Sequence, residues 1–253
     1  MHRSLLGAAA LLCATAQATE SCSVHSTEQR QSLIELYTSE GCSSCPPADR
    51  WLARLQEDPR WIPLAFHVDY WDRLGWKDRF GSPAYTQRQH RGAQLRKSRR
   101  VYTPQVVADG LEHSRWYSQD LPRRDQSASP VMTLAVKALS SNRVYVQVLA
   151  EPADLPAGTI RVALVEDDLS SRVLSGENGG RTLAHAHVVR SLTSDPLSER
   201  VQLPLNVPSD LNLEKSAVVA WIEDGGNGAP LQALRLPLRE CASWLAAKPQ
   251  THK

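Results

Sequence analysis

The sequence predicts an α/β N-terminal domain followed by an all-β, sandwich-like C-terminal domain. Strand and helix patterns alternate between residues 32 and 110, whereas short strand patterns without helical spacing follow residue 129. The length of 253 residues also exceeds what one compact domain usually holds. We therefore predict a signal peptide at 1–18, an α/β domain at 19–128 and a β domain at 129–253.

The N-terminal domain is predicted to have the order β-α-β-α-β. Pro46-Pro47 fit only the first turn of a helix, and Ser82-Pro83 indicate the start of a second one. This order implies parallel strands joined by crossover helices. The predicted elements are a strand at 32–37, a helix from Pro46 towards Pro59, a strand at 61–68, a helix at 84–97 and a strand around Val106-Val107.

Seven short apolar or alternating segments predict the strands of the C-terminal domain. Turn residues separate them, and the polar segment 120–129 is the predicted linker. The predicted strands are 131–136, 143–149, 159–166, 185–192, 200–205, 217–223 and 231–238.

The first 18 residues have the three parts of a secretory signal. Met1-His2-Arg3 carries positive charge, Leu5 to Ala16 is apolar, and Ala16-Gln17-Ala18 is an A-x-A cleavage site. We expect the mature chain to begin near Thr19 and to be periplasmic or secreted. No segment is long and apolar enough to predict a membrane span.

The composition is that of a globular protein. Hydrophobic residues make up 42% and charged residues 22%, which excludes disordered and coiled-coil classes. The net charge of +2 gives no reason to expect a nucleic-acid partner. A local basic stretch, read here as a solvated helix face rather than a dock for an acidic partner, contains Arg88, Arg91, Arg96, Lys97, Arg99 and Arg100.

Cleavage of the signal leaves four cysteines, an even number that suits an oxidising compartment. Cys42 and Cys45 have the spacing of a redox dithiol. Cys22 and Cys241 stand at opposite ends of the mature chain, and a disulfide between them would join its termini. Two unpaired thiols are the alternative for these distant cysteines.

A C-x-x-C at the start of a helix has a chemical purpose. Backbone N–H groups and the helix dipole stabilise a thiolate there, so Cys42 is the predicted nucleophile. Cys45, one turn later, would resolve a mixed disulfide formed at Cys42. About sixty residues later, the Thr103-Pro104 step opens a predicted strand.

Four blocks of the chain together resemble a secreted, thioredoxin-like bacterial family catalogued as domain of unknown function 1223. The blocks are ELYTSEGCSSCPPADRWL, LAFHVDYWDRLGWKDRFGSPAYTQRQ, VYTPQVVADG and GENGGRTLAHAHVVRSL. The resemblance implies a thioredoxin-like N-terminal fold and a β-rich C-terminal part, but no established reaction. Cys42, Cys45 and Pro104 match the superfamily's redox motif, Pro104 as its cis-proline, whereas Ser43-Ser44 and Pro46 depart from thioredoxin itself.

Several polar and aromatic residues are candidates for substrate binding. His67 and Asp69 lie two apart at the end of the second strand, on one face, where they could tune the thiols, although a packed histidine and a solvated or capping aspartate are the alternatives. Tyr70, Trp71 and Trp76 could form a substrate-binding rim, or a lid over the core, and Thr103 is a further candidate for substrate binding. We interpret His185 and His187 as a packed or surface pair rather than a metal site.

Three functions fit these motifs. The first is a thiol-disulfide oxidoreductase, or thiol-redox partner, acting on protein thiols or disulfides in the periplasm and needing no cofactor. The second is a soft-metal protein in which Cys42 and Cys45, with His67, hold Cu(I). The third is an interaction module in which the C-x-x-C is a structural disulfide.

Overall fold

A computed structural model of the protein describes residues 22–27, 30–55, 58–118, 121, 130–140, 142–151 and 157–241. The predicted signal peptide and most of the predicted linker lie outside these residues. Helices α1 (Pro46–Arg54) and α2 (Pro83–Leu95) accompany the strands β1 (Cys22–His25), β2 (Ser32–Thr38), β3 (Trp61–His67), β4 (Gln105–Ala108), β5 (Leu111–Glu112), β6 (Val131–Leu139), β7 (Arg143–Glu151), β8 (Gly158–Glu166), β9 (Leu169–Arg172), β10 (Thr182–His185), β11 (Val188–Pro196), β12 (Arg200–Asn206), β13 (Ser216–Asp224) and β14 (Pro230–Pro237).

The fold is mostly β, and its largest sheet contains strands from both halves of the chain. Eight strands follow the order β14-β13-β8-β11-β3-β2-β4-β5. β11 lies parallel to β3, and the Ala65 N–H donates to the His187 carbonyl at 2.8 Å. The predicted fold class, a thioredoxin-like α/β domain followed by a separate all-β sandwich, is therefore wrong. The division between 128 and 129 stays a prediction.

Strand pairing is the reason for this difference. Apolar periodicity identifies a strand but not its partner, which here comes from the distant half of the chain. β2 and β3 are parallel, as predicted, whereas β4 is antiparallel to β2. β13 is buried from Ser216 to Glu223, which is typical of a strand covered on both faces inside a large sheet.

A second, antiparallel sheet has the order β1-β6-β7-β12. Its apolar side chains share one buried cluster with those of β8, β13 and β14. Cys22 of β1 forms a disulfide with Cys241, in the short helical turn that follows β14. The disulfide therefore joins the second sheet to the last strand of the large one.

The two helices cover the N-terminal part of the large sheet. Trp51 and Leu52 of α1 pack with Ile34 and Leu36 of β2 in one buried cluster. Helix α2 begins at Pro83, and the Ser82 side chain accepts a hydrogen bond from the Ala84 N–H. Proline at the first helical position and serine at the N-cap explain why the sequence identifies this helix start.

Arg88 of α2 is not on a solvated helix face, contrary to our interpretation. Its guanidinium bonds to the Glu35 carboxylate through two nitrogens, at 2.8 and 2.9 Å, and lies 2.6 Å from that of Glu223. All three side chains are less than a tenth exposed. Arg88 thereby connects β2 with β13, from the two halves of the chain.

The sequence reading missed β1, β5 and β9 and merged two other strands. The predicted strand 185–192 is interrupted, because β10 ends at His185 and β11 begins at Val188. His187 lies between them with a φ of 57°, a left-handed conformation that breaks a strand. The apolar pattern alone does not distinguish two strands separated by such a residue from one continuous strand.

Candidate functional site

The C-x-x-C lies between β2 and α1. Cys45 is the N-cap residue of α1, and its carbonyl accepts hydrogen bonds from the Ala48 and Asp49 N–H groups. Pro46 and Pro47 occupy the next two positions and have no N–H to offer a thiolate. The helix therefore contributes fewer backbone donors to Cys42 than a C-x-x-C helix without prolines would.

Both thiols are free and buried, and their pKa values move apart. A hydrogen bond from Cys45, with further bonds from the Ser44 hydroxyl, Thr103 and the Ser44 N–H, lowers the pKa of Cys42 to about 6 against the effect of burial. The Ser44 Oγ lies 3.2 Å from the Cys42 Sγ. Burial and the neighbouring Cys42 raise the pKa of Cys45 well above its usual value. This asymmetry makes Cys42 the thiolate of the pair at neutral pH.

The Thr103-Pro104 segment meets Cys42 from the other side. Its peptide bond is cis, and the Thr103 carbonyl lies 3.8 Å from the Cys42 Sγ. The Trp71 Nε1 donates to the Thr103 Oγ1 at 2.8 Å, so the aromatic loop after β3 fixes this segment. The structure thus brings together Cys42, Thr103, Pro104 and Trp71.

Tyr70 lies beside Thr103, whereas Asp69 contacts helix α2. Burial raises the pKa of Tyr70 to about 12, with smaller opposing effects from Gln89 and Thr103, so its hydroxyl stays protonated beside the segment. The Asp69 carboxylate instead accepts a hydrogen bond from the Thr86 Oγ1 on α2 at 2.5 Å. Asp69 therefore ties the end of β3 to α2.

His67 belongs to a buried ionic network behind the cysteines. Its Nδ1 lies 2.7 Å from the Asp78 Oδ2, and the Asp78 carboxylate also accepts the Glu40 and Phe80 N–H groups. Burial acts against protonation of His67, but Asp78, with Asp49 and Glu40, outweighs it and raises the pKa of His67. The Asp78 carboxylate thus favours the protonated form of His67 and pairs with it.

Glu40 extends this network towards the C-terminal half. Its carboxylate accepts a hydrogen bond from the Trp76 Nε1 at 2.7 Å and lies 3.4 Å from the His185 Nε2. The His185 ring is 5.2 Å from the His67 ring, measured between centroids. The indole nitrogen of Trp76 therefore holds the loop after β3 against Glu40.

His185 and His187 have different partners. His185 faces Glu40, whereas the His187 Nδ1 lies 2.9 Å from the Asp167 carboxylate. Both side chains are buried. Within the described ranges, no group of three or more His, Cys, Asp or Glu side chains could hold a metal ion.

Two residues that the sequence reading missed contact the cysteine loop. The Asn178 Nδ2 donates to the carbonyls of Glu40 and Cys42, both at 2.9 Å. The Glu177 carboxylate accepts the Ser43 N–H at 2.9 Å. They lie in the GENGG block, whose glycines signal a turn but whose contact with a segment about 135 residues away leaves no local pattern.

No helix among the described residues is long and apolar enough to cross a membrane.

Comparisons with known proteins identify relatives of the fold and of the sequence. Protein AGR_C_4864 of Agrobacterium tumefaciens has a solved structure that is 20% identical, with a TM-score of 0.58 over 90% of this chain and 100% of that one. HBP35 of Porphyromonas gingivalis is 13% identical, with a TM-score of 0.58 over 89% of this chain and 78% of that one. These likenesses concern the fold alone. Among curated proteins, none matches the sequence. The model of the family described as protein of unknown function (DUF1223) matches residues 33–223, and the chain belongs to this family.

Proposed function

We propose that the protein is an exported thiol-disulfide oxidoreductase, or a thiol-redox partner, whose dithiol is Cys42 and Cys45. The observation that carries this proposal is the free thiol pair itself, with Cys42 held between Ser44 and the Thr103-Pro104 segment. Opposite pKa shifts of the two thiols support different roles for them. A low-pKa thiol beside a protonated one is the arrangement that disulfide exchange requires.

The exchange proceeds in two steps. The Cys42 thiolate attacks one sulfur of a partner disulfide, which forms a Cys42–partner bond and releases the other partner sulfur as a thiolate. Cys45 then loses its proton to solvent and attacks the Cys42 sulfur. This second attack releases the partner's remaining sulfur as a thiolate and leaves a Cys42–Cys45 disulfide. Two electrons pass to the partner, and its thiolates take up protons from solvent; the reverse sequence oxidises a partner dithiol.

The surroundings of Cys42 fit a protein disulfide as the substrate. Ser43 and Ser44 are exposed, whereas the Cys42 side chain is buried in the reduced protein. Tyr102, 37% exposed, and the partly buried Trp71 adjoin the Thr103-Pro104 segment. A partner chain reaching the sulfur would replace the Thr103 contact, and aromatic side chains provide a sequence-tolerant surface beside it.

Export to an oxidising compartment is part of the proposal. The signal-like residues 1–18 and the Cys22–Cys241 disulfide both support it, because disulfides persist in secreted and periplasmic proteins. Protein thiols and disulfides of that compartment are the proposed partners.

Trapping of mixed disulfides tests the function. Cys45→Ser should attack a partner disulfide and accumulate mixed disulfides, because the resolving thiol is absent, whereas Cys42→Ser should accumulate none. Non-reducing electrophoresis and peptide mass spectrometry of exported protein would identify the adducts. If Cys45→Ser forms no more adducts than Cys42→Ser, and the purified wild-type protein neither reduces nor oxidises a test peptide, the proposal fails.

Titration with Cu(I) is the second arm of the test. If the protein is instead a Cu(I)-binding protein, Cu(I) should bind stoichiometrically and only when both thiols are present. The protein should then also show no disulfide exchange. That combination would replace the proposed function.

A further inference from the structure

The loop between β9 and β10 reaches across the molecule to the cysteines. Its base is held by hydrogen bonds between Val173 and Arg181, and between Gly180 and Val173, each at 2.9 Å. Gly176 and Gly180 have φ values of 73° and 81°, which favour glycine at both positions. The glycines allow the chain to turn, and the bonded base places residues 177 and 178 at the tip of the loop.

Both the nitrogen and the oxygen of the Asn178 side-chain amide form hydrogen bonds at this tip. The amide nitrogen donates to the Glu40 and Cys42 carbonyls, and the Oδ1 accepts a hydrogen bond from the Arg181 Nη1 at 2.7 Å. Two carbonyl acceptors require the NH₂ end to face them, which agrees with Arg181 donating to the oxygen. Asn178 is completely buried. A buried carbonyl without a hydrogen-bond donor would destabilise the fold, so the two bonds from Asn178 restrain the cysteine loop.

One of the carbonyls bonded by Asn178 belongs to Cys42, the proposed nucleophile. The Cys42 carbonyl also accepts the Cys45 N–H at 3.2 Å, and the Cys42 N–H donates to the Ser39 carbonyl. With both peptide groups of Cys42 fixed, the following residues cannot rotate freely. Ser44 is thereby held with its hydroxyl 3.2 Å from the Cys42 sulfur.

We infer that Asn178 is a positioning residue that holds the Cys42–Ser44 turn, and with it the Cys42 sulfur, in the geometry for disulfide exchange. This role rests on the proposed function of the dithiol. Asn178 touches no reacting atom, and it acts through the Cys42 carbonyl. A segment of the C-terminal half is thus part of the proposed exchange site.

Asn178→Ala tests the inference by way of the Cys42 thiolate. Without the two donors, the turn should rotate and Cys42 should lose the Ser44 bonds, so its pKa should rise from about 6 towards its ordinary value. The rate of Cys42 alkylation by iodoacetamide at pH 7 should then fall about three- to tenfold. Peptide mass spectrometry across pH 5 to 10 would measure the rate for Cys42 alone.

Two further variants separate positioning from a general loss of structure. Asn178→Asp keeps the shape but loses the NH₂ donors, and it should raise the Cys42 pKa at least as much as Asn178→Ala. Asn212→Ala is a control for loss of an asparagine side-chain bond elsewhere, because the exposed Asn212 caps the turn before β13 by accepting the Glu214 N–H at 3.0 Å. The control should leave the alkylation profile unchanged, because the hydrogen bond that it loses involves no residue of the cysteine loop.

The outcomes distinguish the inference from the function on which it rests. If folded Asn178→Ala and Asn178→Asp keep the wild-type alkylation profile, the positioning role is overturned, whatever the exchange assay shows. A profile displaced equally by Asn212→Ala overturns it as well. If the wild-type protein exchanges no disulfide but the Asn178 variants still shift the Cys42 profile, the proposed function fails and the control of Cys42 geometry by Asn178 stands.

Discussion

Arg88 and Glu223 form a buried ion pair, with 2.6 Å between the Arg88 Nη2 and the Glu223 Oε1. Arg88 belongs to α2 and Glu223 to β13, so the pair crosses from the N-terminal to the C-terminal half. Glu35 completes the set by accepting two bonds from Arg88, and Arg161 pairs with Glu223. Removal of the central cation would leave carboxylates buried without enough positive charge.

Arg88→Met should therefore destabilise the protein strongly. The expected loss is about 3–5 kcal/mol in the free energy of unfolding, measured by urea denaturation. Arg91→Met, at an exposed position of the same helix, should change it by less than about 0.5 kcal/mol. Equal effects of the two substitutions would show that the buried pair has no special importance for stability.

The local elements of the site could be predicted from the sequence, because their signals are local. Proline at the start of α1, the apolar spacing of Trp51 and Leu52, and the C-x-x-C all lie within about ten residues. By contrast, the pairing of β11 with β3 and the bonds of Asn178 to the cysteine loop join segments more than 100 residues apart. The apolar pattern of a strand indicates which of its faces is buried, but several neighbouring strands are compatible with the same pattern. Arg88 was misread for the same reason, since its acidic partners are distant in sequence.

The Cys22–Cys241 disulfide should contribute substantially to stability. It closes a loop of 219 residues, and long loops lose the most entropy when the unfolded chain is cross-linked. The double variant Cys22→Ser/Cys241→Ser should lose about 2–5 kcal/mol in the free energy of unfolding. Cys42→Ser/Cys45→Ser, made in parallel, removes two buried thiols without opening that loop and is the control. A larger loss in the control would contradict the prediction.

The His67–Asp78 pair should make stability depend on pH within a defined window. The folded-state pKa of His67 is raised and that of Asp78 is lowered, in both cases by their mutual attraction acting against burial. The contribution of His67 is fully present below its unfolded pKa of about 6.5 and is lost as pH rises through its folded value. The contribution of Asp78 is present above its unfolded pKa of about 3.9 and is lost as pH falls through its lower folded value.

Asp78→Asn should consequently reduce stability most between about pH 4 and 6.5, and less on either side. Urea denaturation of both proteins across pH 3 to 9 would give the difference at each pH. Asp58→Asn is the control, because Asp58 pairs with an arginine, Arg60, at the surface. A constant difference for Asp78→Asn across the whole range would contradict a titrating pair.

The last prediction concerns the Ser44 hydroxyl and the reactivity of Cys42. In the wild-type protein the thiolate of Cys42 should form with a midpoint near pH 6, since hydrogen bonds from the side chains of Cys45, Ser44 and Thr103 lower its pKa. The alkylation rate of Cys42 should then rise through pH 6 and level off above about pH 7, whereas Cys45 stays slow because burial and the Cys42 charge keep it protonated.

Ser44→Ala removes one donor, so it should move the Cys42 midpoint upwards while the thiolate stays the more reactive of the pair. Ser43→Ala is the matched control: the adjacent Ser43 side chain is exposed, and it is the Ser43 backbone N–H, retained in alanine, that bonds to Glu177. Iodoacetamide labelling of the reduced protein, resolved by peptide mass spectrometry from pH 4 to 10, measures all three profiles. Faster labelling of Cys45 than of Cys42 at neutral pH would reverse the assignment of the nucleophile. A midpoint that moves equally in Ser43→Ala and Ser44→Ala would show that the Ser44 hydroxyl does not stabilise the thiolate.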